Sequence, residues 1–104
     1  MISLKNGETI TKSFDAKSKL GNGMLYVTNL SIVFETKMKG LILELPFTVL
    51  RTFEAKKKNI LLLSWDEPDK SQRFSFECNV EHAKAVENEI QLANQEFARK
   101  ICDF

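Results

Sequence analysis

RFSFECNVEHAKAVENEIQLANQEFARKIC, residues 73–102, changes its period part-way along. Residues 73–78 alternate, with Phe74, Phe76 and Cys78 on one face. That is the two-residue repeat of a strand buried on one side. From Val80 onward the apolar positions are Val80, Ala83, Val86, Ile90, Ala93, Phe97 and Ile101, spaced 3, 3, 4, 3, 4 and 4. That spacing is one stripe of an amphipathic helix. Asn79 is placed to cap it, Glu81 suits the positive end of the helix dipole, and Arg99 and Lys100 suit the other end. The chain therefore ends in a strand followed by one long helix over residues 80–102.

Upstream of residue 78 the period of two prevails. Weak alternation over 9–17 puts Ile10, Phe14 and Ala16 on one side. Gly21-Asn22-Gly23 reads as a turn, because Gly and Asn accept positive φ cheaply. MLYVT (24–28) and SIVFE (31–35) are rich in strand formers, with a short break at Asn29-Leu30. A turn at Lys37-Met38-Lys39-Gly40 leads to Leu41, Leu43 and Leu45 on one face. Pro46 cannot donate to a ladder and marks the end of that strand. Phe47, Val49 and Phe53 share a face of a fifth strand, and Lys56-Lys57-Lys58-Asn59 is a charged hairpin. A sixth strand ends near Trp65, and residues 66–70 (DEPDK) form the next turn. The expected strands are 9–17, 24–28, 31–36, 41–45, 47–54, 59–65 and 72–78. Seven short strands at near-regular spacing imply a mostly β fold. It is an antiparallel, partly open barrel or sandwich, capped by the amphipathic helix that must bury its stripe.

Length and composition narrow the function classes. The 104 residues match one domain, read as 1–104, and 43% hydrophobic content suffices for a core. A net charge of +1 argues against nucleic acid as a partner, since phosphate neutralisation needs a basic surplus. Charge is nonetheless uneven: residues 1–58 carry ten basic and five acidic residues, and 59–104 carry five and nine. No apolar run approaches the ~20 residues of a spanning helix, and residues 1–10 do not resemble a signal peptide. Cys78 and Cys102 lie at opposite ends of the helical segment, roughly 30 Å apart by its rise. A disulfide needs Cα atoms within about 7 Å, so no bridge is expected, and free thiols point to a cytoplasmic setting.

The run from Gly23 to Phe34 (GMLYVTNLSIVF) carries a resemblance. It is similar to the Gly-x-Leu-Tyr-x-Thr-Asn stretch of GRAM-type and bacterial-type variants of the pleckstrin-homology superfold. Leu45-Pro46-Phe47 ahead of the fifth strand resembles the same families. One departure is that many pleckstrin-homology domains place a Trp in the C-terminal helix. Here that helix has Phe97, and the single Trp is Trp65. The resemblance implies a non-catalytic binding module that docks a protein or peptide, or is recruited to a membrane surface. It implies two alternatives: a GLUE-like or transcription-factor-type variant binding ubiquitin or acidic peptides, and a weak binder of phosphoinositide or other anionic lipid.

That arrangement would bring the loops after strands one, three and six around one open mouth. Lys17, Lys19, Lys37 and Lys39 would then attract phosphates as flexible point charges, with Met38 dipping into the lipid interface. Lys56, Lys57 and Lys58 would sit at the opposite end. For a protein partner the expected site is the edge of the fifth strand, where Arg51 and Thr52 interrupt an apolar run. The same edge allows a monomer or a weak homodimer. Tyr26 is expected to face outward. Catalysis is not expected: His82 is the only histidine, off the apolar stripe, so no base stands beside a nucleophile. Cys78 and His82 supply two ligands where zinc wants four, and Asp66, Glu67 and Asp69 lack the spacing of a Ca²⁺ loop. No metal and no cofactor is expected. Localisation follows as cytoplasmic, with peripheral membrane association.

Overall fold

The computed structural model describes residues 7–19, 21–67 and 72–102. Seven strands precede one helix: β1 (Ile10–Ser18), β2 (Gly21–Thr28), β3 (Ser31–Thr36), β4 (Gly40–Pro46), β5 (Leu50–Lys57), β6 (Ile60–Glu67), β7 (Gln72–Val80) and α1 (Ala83–Cys102). All pairings are antiparallel, in the order β4-β3-β2-β1-β7-β6-β5. Two meanders, β1–β4 and β5–β7, are thus joined where β1 meets β7. That junction is short, Ala16 opposite Val80 and Lys17 opposite Asn79. β4 and β5 remain as edges, so the sheet is not closed.

The inward phase of each strand supplies the core. Leu25, Val27, Ile32, Phe34, Leu61 and Leu63 are fully buried, and Val86 and Ile90 of α1 pack onto them. Phe34 meets Phe76 with centroids 5.4 Å apart, and Trp65 stacks on its cross-strand neighbour Phe74 at 6.0 Å. Phe97 meets Phe47 edge-on at 5.6 Å. Tyr26 is half-buried in the outward phase, opposite Val33, which is itself buried on that face.

Four boundaries differ from the sequence reading. Gly21-Asn22-Gly23 is the start of β2, paired with Ser18, Lys17 and Ala16, so the hairpin tip falls before it. Glycine is needed there for other reasons. Gly21 has φ 135°, and a Cβ on Gly23 would overlap the Glu35 carbonyl oxygen and lie 2.7 Å from Thr36 Cα. Residues 47–49 form a turn, with the Val49 N–H donating to the Pro46 carbonyl at 2.9 Å, so β5 begins only at Leu50. Asn79 is a strand residue and not a cap, because β1 and β6 offer partners on both of its sides. Glu81 and His82 then form a turn ahead of α1, which starts where the Ala83 N–H donates to the Lys58 carbonyl at 3.0 Å.

Among the described residues no helix is long and apolar enough to cross a membrane. Nor do three or more His, Cys, Asp or Glu residues among them converge as metal ligands.

Candidate functional site

An open groove of about 820 Å³ lies beside the β1–β7 junction. Its lining includes Asp15 and Lys17 of β1, Asn22 of β2, Lys37 after β3, Asn79 of β7 and Glu81. Strand register explains the gathering. Lys17 lies between Asn22 and Asn79, its partners on β2 and β7. Lys37 follows Thr36, which pairs with Gly23, so it emerges beside Asn22. Alternation sends Asp15 and Lys17 to the same exposed face while Ala16 between them is buried.

Of the expected lipid-binding residues, Lys17 and Lys37 thus share one groove. Lys19, Met38 and Lys39 stand exposed at the β1–β2 and β3–β4 hairpins that flank it. Met38 is 94% exposed, and Leu41 at the start of β4 is 57% exposed. The β5–β6 hairpin is not remote from this site, contrary to expectation: its Asn59 lines the same groove. The reason is the backbone docking of Lys58 and Asn59 carbonyls onto Ala83 and Val80 N–H groups, both at 3.0 Å. With its amide nitrogen turned toward the α1 entry, Asn59 also donates to the Glu81 carbonyl at 2.9 Å. Lys56 leans back onto Glu77 at 3.0 Å. In the β6–β7 connection, Pro68, Asp69 and Lys70 lie outside the described residues.

The second expected site, on β5, has a different character. Arg51 sits at a bulge, the register passing from Leu50 opposite Trp65 to Thr52 opposite Ser64. The bulge lets two consecutive residues, Arg51 and Thr52, both reach the surface. Arg51 Nε donates to Asp66 Oδ2 at 2.6 Å, and the Thr52 hydroxyl bonds the buried Ser64 hydroxyl. Farther along, the outward N–H of Ala55 donates to Glu87 Oε1 at 2.8 Å. Glu87 lies off the apolar stripe of α1. Its side chain is only 15% exposed and also accepts from Lys84 Nζ at 2.6 Å. The Lys84 and Ala55 bonds hold the Glu87 carboxyl below its ordinary pKa.

Other titratable candidates have little reactivity to offer. Cys78 is a buried free thiol whose pKa is pushed up to about 11 by desolvation, the opposite of an activated nucleophile. His82 is exposed, 3.8 Å from Glu81.

Sequence reasoning missed Asp15, Asn22, Asn79 and Glu81 as groove residues. Only the Asp15-Ala16-Lys17 alternation carried a local signal. The others depend on which strands pair.

No protein-family model matches the chain, and none of the curated proteins is similar to it in sequence. Solved structures do match in shape. One is a Vps36 N-terminal PH domain, with a TM-score of 0.59 and 14% identity over 97% of this chain and 87% of that one. The fold is pleckstrin-homology-like. At this identity the likeness is one of architecture: two meanders joined at β1–β7 and capped by the C-terminal helix. Lys17 and Lys19 stand at the β1–β2 hairpin, Lys37 and Lys39 at the β3–β4 hairpin, and Lys56, Lys57 and Lys58 at the β5–β6 hairpin.

Proposed function

We propose that this chain is a non-catalytic binding module recruited to an anionic membrane surface through its β1–β2 and β3–β4 hairpins. The observation that carries the reading is Met38, an apolar side chain 94% exposed at a hairpin tip between the exposed Lys37 and Lys39. An exposed methionine between cations suits an interface that is apolar below and negatively charged above. Lys17 and Lys19 on the adjacent hairpin widen the basic rim. Each lysine near an anionic surface contributes about 1 kcal/mol, and burying Met38 contributes about 1.5–3 kcal/mol. The sum describes a weak, salt-sensitive association. The test is co-sedimentation with vesicles containing anionic lipid at low salt. Wild type should be retained and released by salt, and Lys37→Glu with Lys39→Glu should abolish retention. Equal retention on neutral vesicles would overturn the reading.

A second reading has its own support: β5 ends the sheet and exposes Arg51 and Thr52. A peptide added along the Leu50–Phe53 half of this strand would gain main-chain hydrogen bonds, and an acidic one would compete with Asp66 for Arg51. Glu87 already occupies the Ala55 N–H, which shortens the available edge. Amide shifts confined to β5 on adding an acidic peptide would favour this reading.

A further inference from the structure

The groove beside the β1–β7 junction carries its charges in an order that selects a ligand. Across the sheet, Lys37, Asn22, Lys17 and Asn79 follow one another on neighbouring strands. Two residues along β1 stands Asp15, opposite Met24. Glu81 follows Val80, the last residue of β7 and the partner of Ala16, and lines the groove together with Asp15. The groove thus has a basic, amide-rich row and an acidic row, Asp15 and Glu81, with Asp15 about 7 Å from Lys17 along β1, the rise of two strand residues. A polyanion would gain from Lys17 and Lys37 but meet Asp15 and Glu81. A simple cation would meet the reverse.

We infer that the groove binds a zwitterionic headgroup whose phosphate lies on the Lys17 and Lys37 row and whose ammonium lies on the Asp15 and Glu81 row. Aminophospholipids present this chemistry, with the two charges two carbons apart, and Met24 beside Asp15 offers those carbons an apolar wall. As to its source, the inference rests on the membrane reading, since the hairpins flanking the groove are those proposed to meet the bilayer. A free phosphorylated amine has the same chemistry, and the experiment separates the two.

The test uses glycerophosphoethanolamine, glycerol 3-phosphate and ethanolamine as soluble ligands, read by amide chemical shifts and titrated affinity. The zwitterion should bind at least about tenfold more tightly than either half, with shifts centred on Asp15, Lys17, Asn22, Lys37, Asn79 and Glu81. Asp15→Asn with Glu81→Gln, both exposed and nearly isosteric, should reduce it to the affinity of glycerol 3-phosphate. Glycerol 3-phosphate binding as tightly as the zwitterion to wild type would overturn the inference, and so would shifts centred elsewhere. Vesicles of phosphatidylethanolamine mixed with anionic lipid form the second arm. Lys39→Glu lies outside both rows, so it should lower vesicle retention and leave soluble headgroup binding unchanged. If the soluble zwitterion binds and Lys39→Glu does not alter vesicle retention, the groove assignment stands and the membrane source falls.

Discussion

The Thr-Asn-x-Ser sequence at residues 28–31 shows what a short motif does physically. The Thr28 hydroxyl accepts the N–H groups of Leu30 and Ser31 at 3.1 and 2.9 Å and closes the β2–β3 turn. Its single proton is best spent on Glu8 Oε2 at 2.7 Å, where the Ser31 hydroxyl also donates at 2.7 Å. Asn29 holds the flanking residues, accepting from the Thr9 N–H at 2.7 Å and donating to the Gly7 carbonyl at 2.9 Å. The turn therefore fastens the segment entering β1, and the buried Glu8 depends on both hydroxyls. Thr28→Val should destabilise by about 1–3 kcal/mol, the cost of under-satisfying a buried polar group. A denaturant midpoint unchanged from wild type would show that the clamp carries no stability. Gly23 is a steric case. Gly23→Ala should cost about 1–3 kcal/mol, because the added methyl meets β3 backbone and not a movable side chain. Thermal melts decide it, with Gly40→Ala unsuitable as a control because its φ of 73° is itself left-handed.

At the scale of elements, α1 was legible because its 3.6-residue stripe is a local property. Ile90 is buried and Lys84 exposed, as the stripe requires. Phe97→Ala should destabilise by about 3 kcal/mol, the lower end for a core aromatic, since Phe97 is only partly buried against Phe47. An unchanged melt would mean that the last turns of α1 do not cap the sheet. Glu87 was not legible. Its place on the helical wheel is polar, and only the packing of α1 along β5 turns it toward an edge N–H. Because its folded pKa is depressed, its contribution is complete above the ordinary carboxylate range. It is lost as pH falls through the lowered folded value. The stability difference between wild type and Glu87→Gln should therefore shrink as the solution is acidified below that range. A difference that does not vary with pH would exclude the charged clamp. The β5 start was misplaced for a similar reason: residues 47–49 alternate like a strand, but Pro46 and the Val49 N–H form a turn that local pattern does not reveal.

For the whole molecule, the uneven charge of the two halves does not survive folding as one basic face. Arg51 meets Asp66 and Lys56 meets Glu77 across β5, β6 and β7, and the groove sets Lys17 and Lys37 against Glu81. Such pairings depend on strand order, which is why the sequence shows the lysines but not their setting.

With a net charge of +1, the molecule has little overall attraction for an anionic surface, so recruitment must come from a local arrangement. At 0.1 M ionic strength screening acts over about 10 Å, and a lysine contributes only where it stands close to the bilayer. This separates local from global charge. Lys19→Glu with Lys39→Glu and Arg99→Glu with Lys100→Glu each lower the net charge by the same amount. Lys19 and Lys39 stand on the hairpins beside the groove, whereas Arg99 and Lys100 end a helix that begins next to Glu81 and runs 20 residues, about 30 Å. The first pair of substitutions should abolish vesicle retention at 0.1 M salt. The second should leave most of it, at a small cost in helix stability from losing cations near the α1 C-terminus. Equal loss from both pairs would mean that the chain responds to net charge, and the hairpin face would then have no claim as the site.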